Sequence, residues 1–304
     1  MKQTQPFDVV VVGSIGVDTN VYLPGDEVNF DVEANFTENV DYVGQAGGYA
    51  SRGYRSLGKR TAFIGRVGDD YHGEAIQRTL VHDGVDTSAL FVDPSGTARS
   101  VNFMYRDGRR KNFYDGKGHM TFQPELSVCR RVLEGASLVH INLANWSRML
   151  LPIARETGVT IACDLQDMIL LEDPYRQDFI DAADILFFSA VNQPSPEIWM
   201  EELLLRRPEL IILSGMGENG CALGTKHGLT RFPAPPLEFP VIDTNGAGDM
   251  LSVGFLTSYV LDGFALEAAI LRGQIAARHV CAQKGSTDSL ITRDELEYLY
   301  TKLL

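Results

Sequence analysis

The stretch VIDTNGAGDMLSVGF, residues 241–255, sets Asp243 and Asp249 six positions apart around Asn-Gly-Ala-Gly and follows them with an apolar run. Pro240 in front and a long amphipathic pattern behind put the glycines at the entrance to a helix. Unpaired backbone N–H groups and the positive end of the helix dipole make such an entrance an anion site, and Gly or Ala lets a phosphoryl group approach the main chain. Amides of Gly246, Ala247 and Gly248 arranged around a transferring phosphoryl would stabilise its transition state. Asp249, in the first helical turn beside that pocket, is then the natural general base for an attacking hydroxyl. Asp243, on the strand side of the loop, is placed either to organise the loop or to approach a metal-nucleotide through water. The same run also fits two helix-capping carboxylates beside turn glycines.

Such a loop needs a rigid frame. FDVVVVG, TAFIGRVG, SLVHINL, VTIACD, DILFFS and ELIILSG are short runs rich in Val, Ile and Leu, which read as buried parallel strands. Helix-spaced apolar residues in DDYHGEAIQRTLVHDG, WSRMLLPIARETG and PSPEIWMEELLL alternate with them, and the alternation predicts an α/β fold. Two of these helical segments end at a Gly suited to a helix C-terminus. Beyond Gly246 the pattern is helical over about 247–261, 265–281 and 292–303. Two segments stand apart. Residues 19–45 are polar and turn-rich, and RSVNFMYRDGRRKNFYD, within 98–116, alternates around Asp107-Gly108, a favoured hairpin pair. Both read as a small β-structured lid outside the main sheet.

The chain has 304 residues and a net charge of -13, which argues against nucleic acid and anionic membrane as partners. The densest basic cluster, Arg109, Arg110 and Lys111, reads as a solvated hairpin tip. Cys129, Cys163, Cys221 and Cys281 lie far apart with no C-x-x-C pair, so they suggest buried free thiols rather than a zinc ribbon or a redox motif. The opening MKQTQPFDVVVVG has an apolar run too short for a signal peptide or a membrane span, and a cytoplasmic location is expected.

D-T-N-G-A-G-D at 243–249 resembles the C-terminal signature of the ribokinase-like (PfkB) carbohydrate kinases. GSIGVD at 13–18, QAGG at 45–48, FIGRVGDDYHG at 63–73, GVD at 84–86, GMGENG at 215–220 and KGSTDSL at 284–290 follow the order of that family, so the similarity spans nearly the whole chain. The resemblance implies one ribokinase-like kinase domain over 1–304, a three-layer sandwich with a mostly parallel central sheet and an inserted β lid. It implies ATP with Mg²⁺ as cofactors, and leaves open whether a monovalent cation activates the loop. Asp249 resembles the family's catalytic base, and Asn245, Gly246, Ala247 and Gly248 its anion hole. Asp18 resembles the carboxylate that holds sugar hydroxyls, with Gly47 and Gly48 lining the same pocket. Gly217 resembles part of the nucleotide edge, as do Gln274 and Gly285. A homodimer through the lid is implied by resemblance only.

The chain departs from the pattern in three places. Arg52 stands where the family has a substrate-contacting Asn; its planar fork of donors suits an anionic acceptor, an internal acid such as Asp18, or solvent. The N-x-x-E motif falls at Ser189 and Asn192, or starts at Asn192 and finds Ser195, and in both registers the acid is missing. Gly16 replaces an Asn that ribokinases often carry. The leading expectation is transfer of the ATP γ-phosphoryl to a hydroxyl of a sugar or sugar-like polyol. A nucleoside kinase is the first alternative, with Phe103, Tyr105 and Phe113 of the lid placed to stack on a base. A sugar or nucleotide sensor that has lost turnover is the second. A dinucleotide oxidoreductase does not fit, because GSIGVD lacks the G-x-G-x-x-G spacing.

Overall fold

Four consecutive valines open the first strand, and they divide between two cores: Val9 and Val11 pack on one face of a sheet, Val10 and Val12 on the other. A strand buried on both faces needs such an unbroken apolar run. A computed structural model describes residues 5–106 and 109–304.

The chain runs from β1 (Val9–Val12) into β2 (Gly16–Tyr22) and β3 (Glu38–Gly44), then α1 (Gln45–Ser56). It continues through β4 (Thr61–Gly68), α2 (Tyr71–His82), β5 (Asp86–Asp93), β6 (Ala98–Met104) and β7 (Arg110–Asp115). Alternating units follow: α3 (Leu126–Leu133), β8 (Leu138–Asn142), α4 (Leu151–Thr157), β9 (Thr160–Asp167), α5 (Pro174–Ala182), β10 (Ile185–Ser189), α6 (Glu197–Arg206) and β11 (Ile211–Gly215). A hairpin of β12 (Cys221–Thr225) and β13 (Gly228–Phe232) precedes α7 (Ala247–Leu256), α8 (Leu266–Val280) and α9 (Arg293–Lys302).

The large sheet has the order β13-β12-β11-β10-β9-β8-β1-β4-β5. Its pairings are parallel from β5 to β11, and β12 and β13 close one edge in antiparallel fashion. All six apolar runs are strands of its parallel part. Three further strands have weaker signals: β5 (DTSALFVD) mixes polar and apolar residues, and β12 and β13 are short and contain glycine. Side chains of α1, α2, α7, α8 and α9 join the core on one face, and those of α3 to α6 join the core on the other. The expected α/β sandwich is therefore present.

The lid is a second sheet of order β3-β2-β6-β7. Both outlying segments contribute to it, and β2 pairs in parallel with β6. The tight turn expected at Asp107-Gly108 lies outside the described residues. The expected helix stops also appear: Gly84 and Gly158 have φ of +77° and +71° behind α2 and α4. All four cysteines are buried free thiols. Among the described residues no helix is long and apolar enough to cross a membrane.

The helix that carries Asp249 is held from behind by a close crossing with α8. A Cβ on Gly254 of α7 would lie 2.9 Å from the Gly273 Cα, and one on Gly273 would lie 2.7 Å from the Leu251 carbonyl oxygen. Backbone sits against backbone there, so neither side can yield cheaply. Gly273→Ala should therefore destabilise the fold by about 1–3 kcal/mol. A urea denaturation midpoint equal to that of the unsubstituted protein would contradict this contact.

Candidate active site

Asp18 lies on β2 opposite Ser100 of β6. Its carboxylate accepts from the Gln45 backbone N–H at 3.2 Å, and the nearby Ser100 hydroxyl favours its ionised form. Two glycines make this possible. A Cβ on Gly44 would fall 2.2 Å from the Asp18 carboxylate, and one on Gly16 would fall 2.3 Å from the Ala98 backbone carbonyl oxygen and 2.4 Å from the Gln45 side-chain nitrogen. The contact with the Ala98 backbone gives the physical reason for Gly16. Gln45 opens α1 at a φ of +64°, an uncommon left-handed conformation for a residue with a side chain. Asp18 Oδ1 and both amide atoms of Gln45 are buried without a hydrogen-bond partner among the described residues. Leaving a buried polar atom unpaired costs about 1–3 kcal/mol, and these three fit a ligand rich in hydroxyls. Burial holds the Asp18 carboxyl up at about 6, and the charge of Asp249 adds to the effect.

Gly47 and Gly48 occupy the first turn of α1. The Gly47 N–H donates to the Ser14 carbonyl at 2.8 Å, and a Cβ on Gly47 would meet that oxygen at 2.6 Å. Gly47 thus seats α1 against the turn after β1. A Cβ on Gly48 would make only ordinary contacts, from 3.4 Å outward.

The 243–249 loop is shaped by its first residue. Asp243 is buried and accepts from Asn20 Nδ2 at 2.5 Å, from the Tyr22 hydroxyl at 2.7 Å and from the Asn245 N–H at 2.8 Å. Of its two sequence-level roles, the geometry matches loop organiser; no oxygen is left facing a metal-nucleotide. Burial raises its pKa although all three donors oppose the shift. Gly246 has a φ of +76°, and a Cβ there would meet the Tyr49 ring at 2.1 Å, so no other residue fits. The helix α7 then starts without a side-chain cap, and the Ala247 N–H reaches the Thr244 carbonyl only at 3.4 Å. Gly248 faces open space, with nothing within 4 Å of where a Cβ would stand. Donors and room for an anion coincide at this point.

Asp249 sits in the first turn of α7 with its pKa raised, chiefly by burial and then by the negative charge of Asp164. Asp164, on β9, is raised by burial as well, while its Oδ1 accepts from the Gln166 N–H at 2.8 Å. The two carboxylates hinder each other's ionisation. Arg110 opposes them. Its guanidinium donates to the Asn245 side-chain oxygen, and its charge lowers Asp18, Asp243 and Asp249 alike. Arg110 begins β7 at the end of the antiparallel β6–β7 pair, where the basic cluster is exposed as expected, and it also reaches the loop, a contact that the reading as a solvated hairpin tip did not include. Nothing local in the sequence distinguishes it from Arg109, whose guanidinium pairs with Glu27 at 2.8 Å.

The remaining residues divide. Ser189 ends β10, where its hydroxyl accepts from the Val191 N–H, and Asn192 lies beside it within 3.4 Å of Asp167. Gly217, just past the neighbouring β11, has a φ of +58° and an open side. These three share one edge of the sheet. Gln274 is elsewhere in role: its amide nitrogen donates to the Phe232 and Pro233 carbonyls and braces the exit of β13. Gly285 meets the lid, donating its N–H to the Tyr22 hydroxyl at 3.3 Å, with a hypothetical Cβ 2.9 Å from Val40. Arg52 is paired with Asp83 at 2.6 Å and Asp288 at 3.3 Å, so the internal-acid alternative holds, with Asp83 in place of Asp18. Phe103 and Phe113 pack on each other at 5.4 Å, and Tyr105 lies under Arg109. Among the described residues no group of three His, Cys, Asp or Glu side chains is placed to hold a metal ion.

A family model described as pfkB family carbohydrate kinase matches residues 7–293. The chain belongs to this family. It is a carbohydrate kinase, with the ribokinase-like architecture of a large mostly parallel sheet and a four-stranded lid. The kinase is 28% identical over 295 residues to acarbose 7(IV)-phosphotransferase of Actinoplanes sp., covering 95% of this chain and 97% of the relative. It is 24% identical over 330 residues to 5-dehydro-2-deoxygluconokinase of Geobacillus thermodenitrificans, covering 97% and 93%. Among solved structures, a microbiome-derived acarbose kinase superposes with a TM-score of 0.88 at 28% identity, covering 97% of this chain and 99% of that one.

The carboxylate pair gives this kinase a definite pH behaviour. If Asp249 must be ionised to accept a proton, activity falls as pH drops through its raised pKa. Asp164→Asn keeps the acceptor used by Gln166 and removes the neighbouring charge, so the acid limb of kcat/KM should move down by roughly one pH unit. An unmoved limb would mean that Asp164 does not set the ionisation of Asp249.

Proposed function

We propose that the protein transfers the γ-phosphoryl group of ATP to a hydroxyl of a sugar or sugar-like polyol, with Asp249 as general base. The observation that carries this reading is the meeting of a half-buried carboxylate of raised pKa with an uncapped helix entrance whose Gly248 side is open. Asp18 and Gln45 supply unpaired acceptors and donors for the hydroxyls of the acceptor sugar, which bring one of them to Asp249. Asp249 takes the proton as the oxygen attacks phosphorus. The first-turn amides of α7, with Asn245 orienting Arg110 beside them, face the charge that spreads over the phosphoryl oxygens.

Gly217 and the ends of β10 and β11 form the edge where the nucleotide would lie, since an open side at Gly217 admits a ligand that any Cβ would crowd. Magnesium bound to the nucleotide phosphates would neutralise charge there. The side chains present do not fit a metal held by the protein itself, because the N-x-x-E acid is replaced and Asp243 has its oxygens engaged.

The names of the relatives, acarbose 7(IV)-phosphotransferase and 5-dehydro-2-deoxygluconokinase, support a sugar-derived acceptor and differ in which one. Arg52, whose charge is already matched by Asp83 and Asp288, gives no support to an anionic acceptor. The lid aromatics are engaged with their own neighbours, so nothing favours a nucleoside base.

Asp249→Asn keeps the shape and removes the proton acceptor, and kcat should fall by about 10²–10⁴-fold. Acceptor binding measured by calorimetry should change little; ADP release at the unsubstituted rate would refute the role of Asp249. Arg52→Asn should lower the denaturation midpoint and leave the ratio of activity on neutral and anionic sugars unchanged. A loss of activity confined to anionic sugars would place Arg52 at the acceptor after all.

A further inference from the structure

Three asparagines stand in register across the lid: Asn20 pairs with Asn102, and Asn102 with Asn112. Their side-chain amides join end to end. Asn112 Nδ2 donates to Asn102 Oδ1 at 2.7 Å, and Asn102 Nδ2 donates to Asn20 Oδ1 at 2.9 Å. Asn20 Nδ2 donates in turn to Asp243 Oδ2 at 2.5 Å, while Asn20 Oδ1 also accepts from Asn245 Nδ2 at 3.1 Å. The row crosses β7, β6 and β2 and ends on the loop that precedes α7.

The direction of the row is fixed at that end. An ionised carboxylate only accepts, so Asn20 must turn its nitrogen to Asp243 and leave its oxygen for Asn102 and Asn245. Asn102 must then present its nitrogen to Asn20, which leaves its oxygen for Asn112. Asn20 and Asn102 are buried, where a reversed amide would face like against like and lose a bond at each end. Tyr22 adds a parallel link from the same strand to Asp243. The loop thus draws its shape from the lid as well as from its own sequence, because Asp243 holds the Asn245 N–H with one oxygen and the lid with the other.

We propose that Asn20 and Asn102 are positioning residues for phosphoryl transfer: through Asp243 and Asn245 they hold the anion-hole loop in its working shape only while the lid is seated on it. In this role Asn20 and Asn102 act through Asp243 and Asn245 and not on the reacting atoms themselves. The catalytic part of this inference rests on the kinase reading given above; the mechanical part, that lid amides hold the 243–249 loop, stands on the hydrogen bonds alone.

The test separates the two parts. Asn102→Leu removes both bonds at similar volume, and Asn102→Asp keeps the acceptor for Asn112 while losing the donor to Asn20. Thr19→Val serves as control, since Thr19 is on the same strand but donates to Asp41 on the outer side. Hydrogen–deuterium exchange over 241–250 should speed up by roughly tenfold or more in both Asn102 variants and stay unchanged in the control. With ATP and an accepted sugar, kcat should drop by roughly tenfold or more while the KM for the sugar stays within about threefold. Unchanged exchange in both Asn102 variants would overturn the coupling. Altered exchange with kcat unchanged, or kcat and KM worsening together in step with the melting temperature, would overturn the positioning role. A wild-type protein that transfers phosphate to no sugar, with exchange responding as expected, would refute the kinase reading and leave the mechanical coupling in place.

Discussion

Asp243 is a buried carboxylate with three donors, two from β2 of the lid and one from the backbone two residues on, and the geometry of the 243–249 loop depends on it. A carboxylate in such a place is expensive unless every lone pair is used. The lid supplies the necessary donors. With that carboxylate fixed, Gly246 can take its left-handed turn against Tyr49, α7 can start one residue later, and Asp249 falls in the first turn. The order of cause runs from a polar contact between distant segments to the placement of the Asp249 carboxylate.

Charge is arranged around the loop with equal economy. Four carboxylates, Asp18, Asp164, Asp243 and Asp249, are all raised by burial, and a single guanidinium from the lid faces three of them. Arg110 is fixed on the loop by Asn245, so its position is tied to the same residues that the lid holds through Asn20. Sheet, lid and helix entrance each contribute one sign or one donor, and no one of them makes the site alone.

Much of this frame is legible in the sequence because burial on both faces leaves an unmistakable mark: VVVV, IILSG and ILFFS have no other plausible place. The signature at 243–249 is equally plain, since glycine at a positive φ beside a tyrosine ring admits no substitute. What stays hidden depends on distance. Arg52 finds Asp83 thirty-one residues away, and Arg110 finds Asn245 at a separation of 135. Asn20, Asn102 and Asn112 look like ordinary polar positions until strand register lines them up. Gln274 and Gly285 engage β13 and the lid, contacts that their local environment in α8 and the loop after it could not announce.

The proximity of Asp164 and Asp249 has an energetic corollary. Both carboxyls bind a proton more tightly in the folded chain than in the unfolded one, so between the unfolded and folded pKa values the native state carries the extra protons. Over that window the pair's share of stability declines as the solution becomes more alkaline and the carboxyls ionise. As far as these two groups are concerned, the molecule is sturdiest in mild acid, where both carboxyls hold their protons, and each proton given up loosens it.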